Sequence, residues 1–141
     1  MQKVVSCVKK TRCRLSKLPP EERRIRKTCN RLKAAARKIW GWDTERRAVL
    51  DESEKQAEPD KLKTQRTQRL CLSCKKRYHK KNVHADHVIP VGTAPTMFKG
   101  WDDYYARMFT TRDNIQPLCL SCHKTKTVID VRGIRNAKSA T

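Results

Sequence analysis

The chain has 141 residues, 37% of them hydrophobic, and carries 34 Lys and Arg against 14 Asp and Glu for a formal net charge of +20. So little apolar material excludes a large self-sufficient core and calls for a staple. No apolar run reaches the ~20 residues of a membrane-spanning helix. The basic excess is even, with 20 basic and 9 acidic residues in 1–66 and 14 and 5 in 67–141. A polyanion held by phosphate neutralisation and counterion release is the expected partner, in preference to a membrane.

In chain order, Met1-Gln2-Lys3-Val4-Val5-Ser6-Cys7 lacks the apolar stretch of a secretory signal, so a cytoplasmic location is expected. In that compartment paired cysteines act as metal ligands rather than disulfides. Pro19-Pro20-Glu21-Glu22 starts a helix, with proline in the first turn and acids at the positive end of the dipole. Ile25, Cys29, Leu32, Ala36 and Ile39 then form an apolar stripe at spacings of three and four. Gly41, between Trp40 and Trp42, is expected to cap this helix in a left-handed conformation. Asp43 or Thr44 caps a second helix over residues 45–58, stopped by Pro59. Residues 52–63 have the composition of a mobile connection, and a third short helix is expected over residues 61–69. Cys7, Cys13 and Cys29 lack metal-ligand spacing and read as buried or free thiols.

From about Leu70 the texture changes. Cys71-Leu72-Ser73-Cys74 and Cys119-Leu120-Ser121-Cys122 are two matched C-x-x-C pairs separated by the 44 residues from Lys75 to Leu118. A two-residue spacer lets a tight turn aim both sulfurs one way, and four sulfurs close a tetrahedral structural zinc site. Binding energy there becomes folding energy, which supplies the missing staple. Between the pairs, residues 83–91 alternate enough for a strand or hairpin arm, broken by Pro90 and Gly92. Trp101, Tyr104, Tyr105 and Met108 suggest a short amphipathic helix whose aromatics pack in the core. A final helix is expected over residues 120–128, followed by a frayed basic tail.

The residue types with chemical potential cluster in this region: Asp86 and His87, then Asn114, then His123 directly after the last cysteine. A phosphodiester hydrolase needs an imidazole to deprotonate water, a carboxylate and neutral ligands for a divalent cation, and a group that holds the imidazole. Adjacent strand residues face opposite sides, so Asp86 and His87 can serve different partners.

The run C-x-x-C, Asp86-His87-Val88-Ile89-Pro90, Asp113-Asn114-Ile115-Gln116-Pro117-Leu118 and Cys122-His123-Lys124-Thr125-Lys126 resembles the zinc-containing branch of the HNH endonuclease family over residues 70–127. The resemblance implies an α+β chain: a small ββα-metal finger stapled by a four-cysteine zinc and preceded by basic N-terminal helices. It implies His87 as general base, Asp86 and His123 as ligands of a catalytic Mg²⁺, Mn²⁺ or Ni²⁺, and Asn114 as the brace that orients His87. Cys71, Cys74, Cys119 and Cys122 match the structural zinc set. His84 either contacts DNA or simply lies on the strand, with the second favoured. A looser similarity of residues 37–50 and 98–109 to HNH proteins of tailed phages suggests a phage or mobile-element origin.

The organisation expected is a basic helical extension (1–66), the nuclease domain (67–130) and a basic tail (131–141). Lys75, Lys76, Arg77, Lys80, Lys81, Lys124 and Lys126 are the candidate DNA-backbone contacts. DNA is the expected partner, with no membrane, and a homodimer or a phage terminase is a further candidate partner. The rival expectations are a zinc-stapled nucleic-acid-binding module without activity and a packaging accessory dependent on a terminase.

Overall fold

The structure, a computed structural model, describes residues 15–92 and 99–139. The expectations placed on residues 1–7 and on Cys13 lie outside these residues, as does the end of the basic tail at residues 140–141. Among the described residues the fold is α+β, with four α-helices and two small antiparallel sheets. No helix among them is long and apolar enough to cross a membrane.

Helix α1 spans Pro20–Trp40, with Glu21 and Glu22 in its first turn and Arg37 and Lys38 in its last, so charge opposes the helix dipole at both ends. The buried stripe differs from expectation. Cys29 and Ala36 are buried, but Leu32 is 43% exposed and Ile39 54%. The inward face instead follows Ile25, Cys29, Lys33, Ala36 and Trp40, because Trp40 rather than Ile39 turns towards the core and the Lys33 ammonium sits 5.7 Å over the Tyr104 ring. Cys29 is disulfide-bonded, so it is a buried cysteine and not a free thiol. Gly41 is right-handed (φ −56°, ψ −26°), which corrects the left-handed cap. Space is what glycine supplies there, since a Cβ would lie 2.9 Å from the Lys38 carbonyl oxygen.

Helix α2 spans Thr44–Ala57, and its cap is Asp43, whose side chain accepts the Arg46 N–H at 3.0 Å. The connection that follows is anchored. Glu58 Oε2 accepts the amides of Thr67 (2.6 Å) and Gln68 (2.8 Å), and Oε1 accepts from Lys61 Nζ at 2.6 Å. These bonds draw the chain out, so only a single helical turn forms at Lys63–Gln65 in place of the helix expected over 61–69. Strand β1 (Gln68–Leu70) then pairs antiparallel with β2 (Arg77–His79), from Gln68 opposite His79 to Leu70 opposite Arg77.

Strand β3 covers Val83–His87, shorter than the arm expected to residue 91. It pairs antiparallel with β4 (Ile115–Cys119), Val83 opposite Cys119 and His87 opposite Ile115. Helix α3 (Trp101–Met108) lies between them in sequence and packs on α1, where Ala36, Tyr104 and Met108 form one buried cluster. Tyr104 and Met108 are core residues, as their spacing suggested. Helix α4 spans Leu120–Ser139, so the segment expected to fray from residue 129 is helical. An i,i+4 contact from Lys126 Nζ to Asp130 Oδ2 (2.5 Å) carries the helix past Val128.

Helix α2 joins the two sheets. Leu50 packs with Ala85 and Ile115, and the Ser53 hydroxyl donates to the Leu70 carbonyl at 2.9 Å. The buried carboxylate of Glu54 accepts from Arg69 Nε and Nη2 at 3.0 and 2.8 Å, while Arg69 Nη1 also donates to the Lys80 and Val83 carbonyls.

Candidate metal centre and active cleft

The four cysteines of the two C-x-x-C pairs converge at one end of the β3–β4 ribbon. Their sulfurs all lie within 4.8 Å of one another, close to the ~3.8 Å edge of a tetrahedron with 2.3 Å metal–sulfur bonds. The two turns are locked together by backbone: Leu72 N–H donates to the Pro117 carbonyl at 2.9 Å and Cys119 N–H points at Cys71 Sγ at 3.3 Å. Val83 and Leu118 are buried beside the sulfurs, and Tyr78 packs against them with its hydroxyl 3.5 Å from Cys74 Sγ.

Thiols this close do not ionise independently. The Tyr78 hydroxyl and the Lys76 amide bring Cys74 down to about 6. Cys122 is pushed up to about 11: the Ser73 hydroxyl pulls it down, but Cys119, burial and the other two thiols outweigh that pull. A divalent cation relieves this conflict by taking all four sulfurs as thiolates. The cluster could therefore hold a metal ion such as zinc. The Cys71 turn closes on Lys75, which holds a left-handed φ of 58°.

The candidate chemical residues lie at and beyond the other end of β3. Strand alternation puts His84 and Asp86 on one face and Ala85 and His87 on the other, as the buried, exposed, buried, half-buried, buried sequence from Val83 to His87 records. Asp86 faces α4, where His123 Nε2 stands 3.5 Å from Asp86 Oδ1 and Lys126 Nζ stands 3.2 Å from Oδ2. That second contact has the distance of an ion pair without the angle of a hydrogen bond, and Oδ2 is shielded from solvent with no hydrogen bond. A carboxylate with one solvent-shielded oxygen short of donors and the other 3.5 Å from an imidazole nitrogen offers oxygen and nitrogen donors of the kind that could hold a divalent cation.

His87 points the other way and is 7% exposed. Its Nε2 lies 2.9 Å from the Met108 carbonyl oxygen, which can only accept, so the proton sits on Nε2 and Nδ1 keeps its lone pair in the neutral ring. The Trp40 indole stacks on the imidazole, with centroids 4.3 Å apart and planes 27° from parallel. Asn114 braces the turn after His87 twice, its carbonyl accepting from Val88 N–H (2.9 Å) and its Oδ1 from Ile89 N–H (2.8 Å). Both bonds go to the chain beyond His87.

A cleft of about 390 Å³ opens between these elements. Asp86, His87, Pro90 and Val91 form one wall, Arg37 and Trp40 of α1 and Tyr104 and Met108 of α3 the second, and His123, Thr127, Asp130 and Val131 of α4 the floor. The α4 residues recur at three and four, one face of a helix. Sequence reasoning missed Trp40, the Met108 carbonyl and Asp130 here. A tryptophan closing an amphipathic helix was a signal for the first; nothing in sequence marks a backbone carbonyl or one acid on a basic helix.

The basic candidates divide. Lys75, Lys76, Arg77, Lys80 and Lys81 are exposed around the Cys71 turn, β2 and the turn that follows, and Lys124 is exposed on α4. Lys126, expected as a DNA-backbone contact, is held by Asp86 and Asp130 with its side chain 19% exposed. Burial opposes its charge, but Asp130 and Asp86 outweigh that and hold its pKa above the usual lysine value. His84 lies exposed on β3. Comparison of the chain with protein-family models, curated proteins and solved structures finds no match.

Proposed function

We propose that the protein is a metal-dependent endonuclease of HNH type, hydrolysing DNA phosphodiester bonds, with β3, β4 and α4 as a ββα-metal finger and zinc in the cysteine cluster. The observation that carries the reading is the approach of His123 to Asp86 at 3.5 Å, on the strand whose next residue is a buried, tautomer-fixed histidine. A structural role alone requires no such convergence of Asp86, His87 and His123 on one cleft. A divalent ion held by Asp86 and His123 would polarise the phosphate and stabilise the departing 3′ oxygen.

The chain's own residues do the rest. His87 Nδ1 accepts the proton of an attacking water while Nε2–H stays on the Met108 carbonyl. The Trp40 ring and the Asn114-braced turn keep the imidazole from rotating away. Lys75, Lys76, Arg77, Lys80, Lys81 and Lys124 draw in the backbone through counterion release, so binding weakens steeply with salt. One such centre cuts one strand, and a double-strand break requires a homodimer or a second event.

The test is nicking of supercoiled plasmid with Mg²⁺, Mn²⁺ or Ni²⁺, wild type beside His87→Ala. Cleavage by the wild type, abolished in the variant with zinc content and melting unchanged, is the expected result. Intact DNA under every metal with binding retained would make the protein a zinc-stapled binding module. Cleavage only after addition of a phage terminase would make it a packaging accessory.

A further inference from the structure

Lys126 stands at the junction of the candidate cation site and the nucleic-acid surface. Its ammonium lies 3.2 Å from Asp86 Oδ2 and 2.5 Å from Asp130 Oδ2. Asp86 Oδ2 is the solvent-shielded oxygen that accepts no hydrogen bond, while Oδ1 faces His123. One cation therefore rests against one oxygen of the carboxylate whose other oxygen, with His123, a second would coordinate. Two positive charges held on the two oxygens of one carboxylate repel strongly where water screens them little. Lysine can yield, because its charge is a compact point on a flexible four-carbon stem. A displaced Lys126 keeps Asp130, one turn along α4, and needs a new anion in place of Asp86. A phosphodiester entering the cleft that its two carboxylate partners, Asp86 and Asp130, line is that anion.

We propose that Lys126 is a tethered counter-cation of Asp86, which a divalent ion displaces and a phosphate of the bound nucleic acid then receives, so that metal and nucleic acid bind cooperatively. This rests on Asp86 and His123 being the divalent-ion ligands. By linkage, whatever factor the nucleic acid adds to metal affinity the metal adds to nucleic-acid affinity. Lys126 would thus hold metal affinity low in the free protein and raise it only with substrate bound.

The experiment uses the full zinc-loaded chain in a His87→Ala background, so that DNA stays intact, and reads Mn²⁺ affinity by calorimetry and by the paramagnetic signal of free Mn²⁺. Lys126→Met should bind Mn²⁺ about ten-fold more tightly than its parent without DNA. A short duplex should tighten Mn²⁺ in both, through the phosphate that the ion polarises, and several-fold more in the parent than in Lys126→Met. Asp130→Asn, which leaves Lys126 with Asp86 alone, should weaken Mn²⁺, and only while Lys126 is present. Arg132→Met, an exposed cation on the same helix, should stay within two-fold of the parent. Equal Mn²⁺ affinity in parent and Lys126→Met, or equal tightening of both by the duplex, overturns the role of Lys126 alone. Mn²⁺ binding by neither overturns the divalent-ion reading of Asp86 and His123 and this inference with it.

Discussion

On the proposed zinc reading, stripping the cysteine cluster of its metal should unfold the protein rather than loosen one turn. The sulfurs of Cys71, Cys74, Cys119 and Cys122 tie the loop of the β1–β2 hairpin to the end of β4 and the start of α4. Among the described residues around them, only Val83 and Leu118 are large and fully buried aliphatic side chains, contributing about 1.5–3 kcal/mol each. A structural zinc in a small domain contributes about 10–16 kcal/mol of apparent binding energy at neutral pH, and a whole domain is stable by only about 5–15 kcal/mol. A zinc bound there would therefore outweigh its local apolar packing severalfold and rival the entire margin. Stripping with a tight zinc chelator, or Cys119→Ser, should abolish the cooperative melt by circular dichroism and release one zinc per chain by colorimetric titration. Asp86→Ala and His123→Ala should keep that zinc. A chelated protein that still melts cooperatively within a few degrees of the untreated one would refute the reasoning.

Three further outcomes follow from particular contacts. Trp40→Ala should cost about 3 kcal/mol, the low end for a tryptophan truncation because the ring is half-buried; Trp40→Phe, which keeps an aromatic face for His87, should cost about 1 kcal/mol, and equal losses in denaturant melts would remove the stack as the cause. Glu58 is held down to about 2 by the Lys61 ammonium and the Gln68 and Thr67 amides. Because the folded value lies below the unfolded one, its contribution is fully present above about pH 4.5 and is lost as pH falls towards 2; the stability gap between wild type and Glu58→Gln should shrink across that window, and a constant gap would contradict it. Lys75 holds φ 58°, a left-handed conformation costing a side-chain-bearing residue about 1–2 kcal/mol. Lys75→Gly should therefore melt at or above the wild-type temperature, and Lys75→Ile below it.

What was legible in sequence was local. Two C-x-x-C pairs declare themselves by a two-residue spacing, and Asp86 and His87 declare opposite orientations by adjacency on a strand. The errors arose where distant contacts decide. A helical period admits Leu32 and Ile39 as readily as Lys33 and Trp40, and only the packing of α3 against α1 chooses between the two faces. The polar run after α2 looked mobile because its order comes from one carboxylate, Glu58, reaching amides nine and ten residues away. The C-terminal segment looked frayed from its basic composition, while Asp130 pairs with Lys126 and lets the helix continue. Trp40 and the Met108 carbonyl escaped because the fold alone brings residues from three elements onto one imidazole.

The same dependence on distant contacts extends to the N-terminal helices. Trp40 of α1 stacks on His87, and Arg37 lines the same cleft. Helix α2 buries Leu50 against Ala85 and Ile115, directly beneath the end of the ribbon that carries Asp86 and His87. A fragment starting at residue 67 would keep all four cysteines and every motif residue while exposing Ala85, Ile115 and one face of His87. It would also leave Arg69, which now pairs with the buried carboxylate of Glu54, without its partner. Such a fragment should still bind one zinc, since the two cysteine turns and their mutual backbone bonds are intact. It should lack a cooperative melt, and its His87 ring protons should lose the upfield shift that the Trp40 ring current imposes in the full chain. A fragment that melts cooperatively and keeps that shift would show that the imidazole is positioned from within the finger, and that Trp40 merely lies beside it.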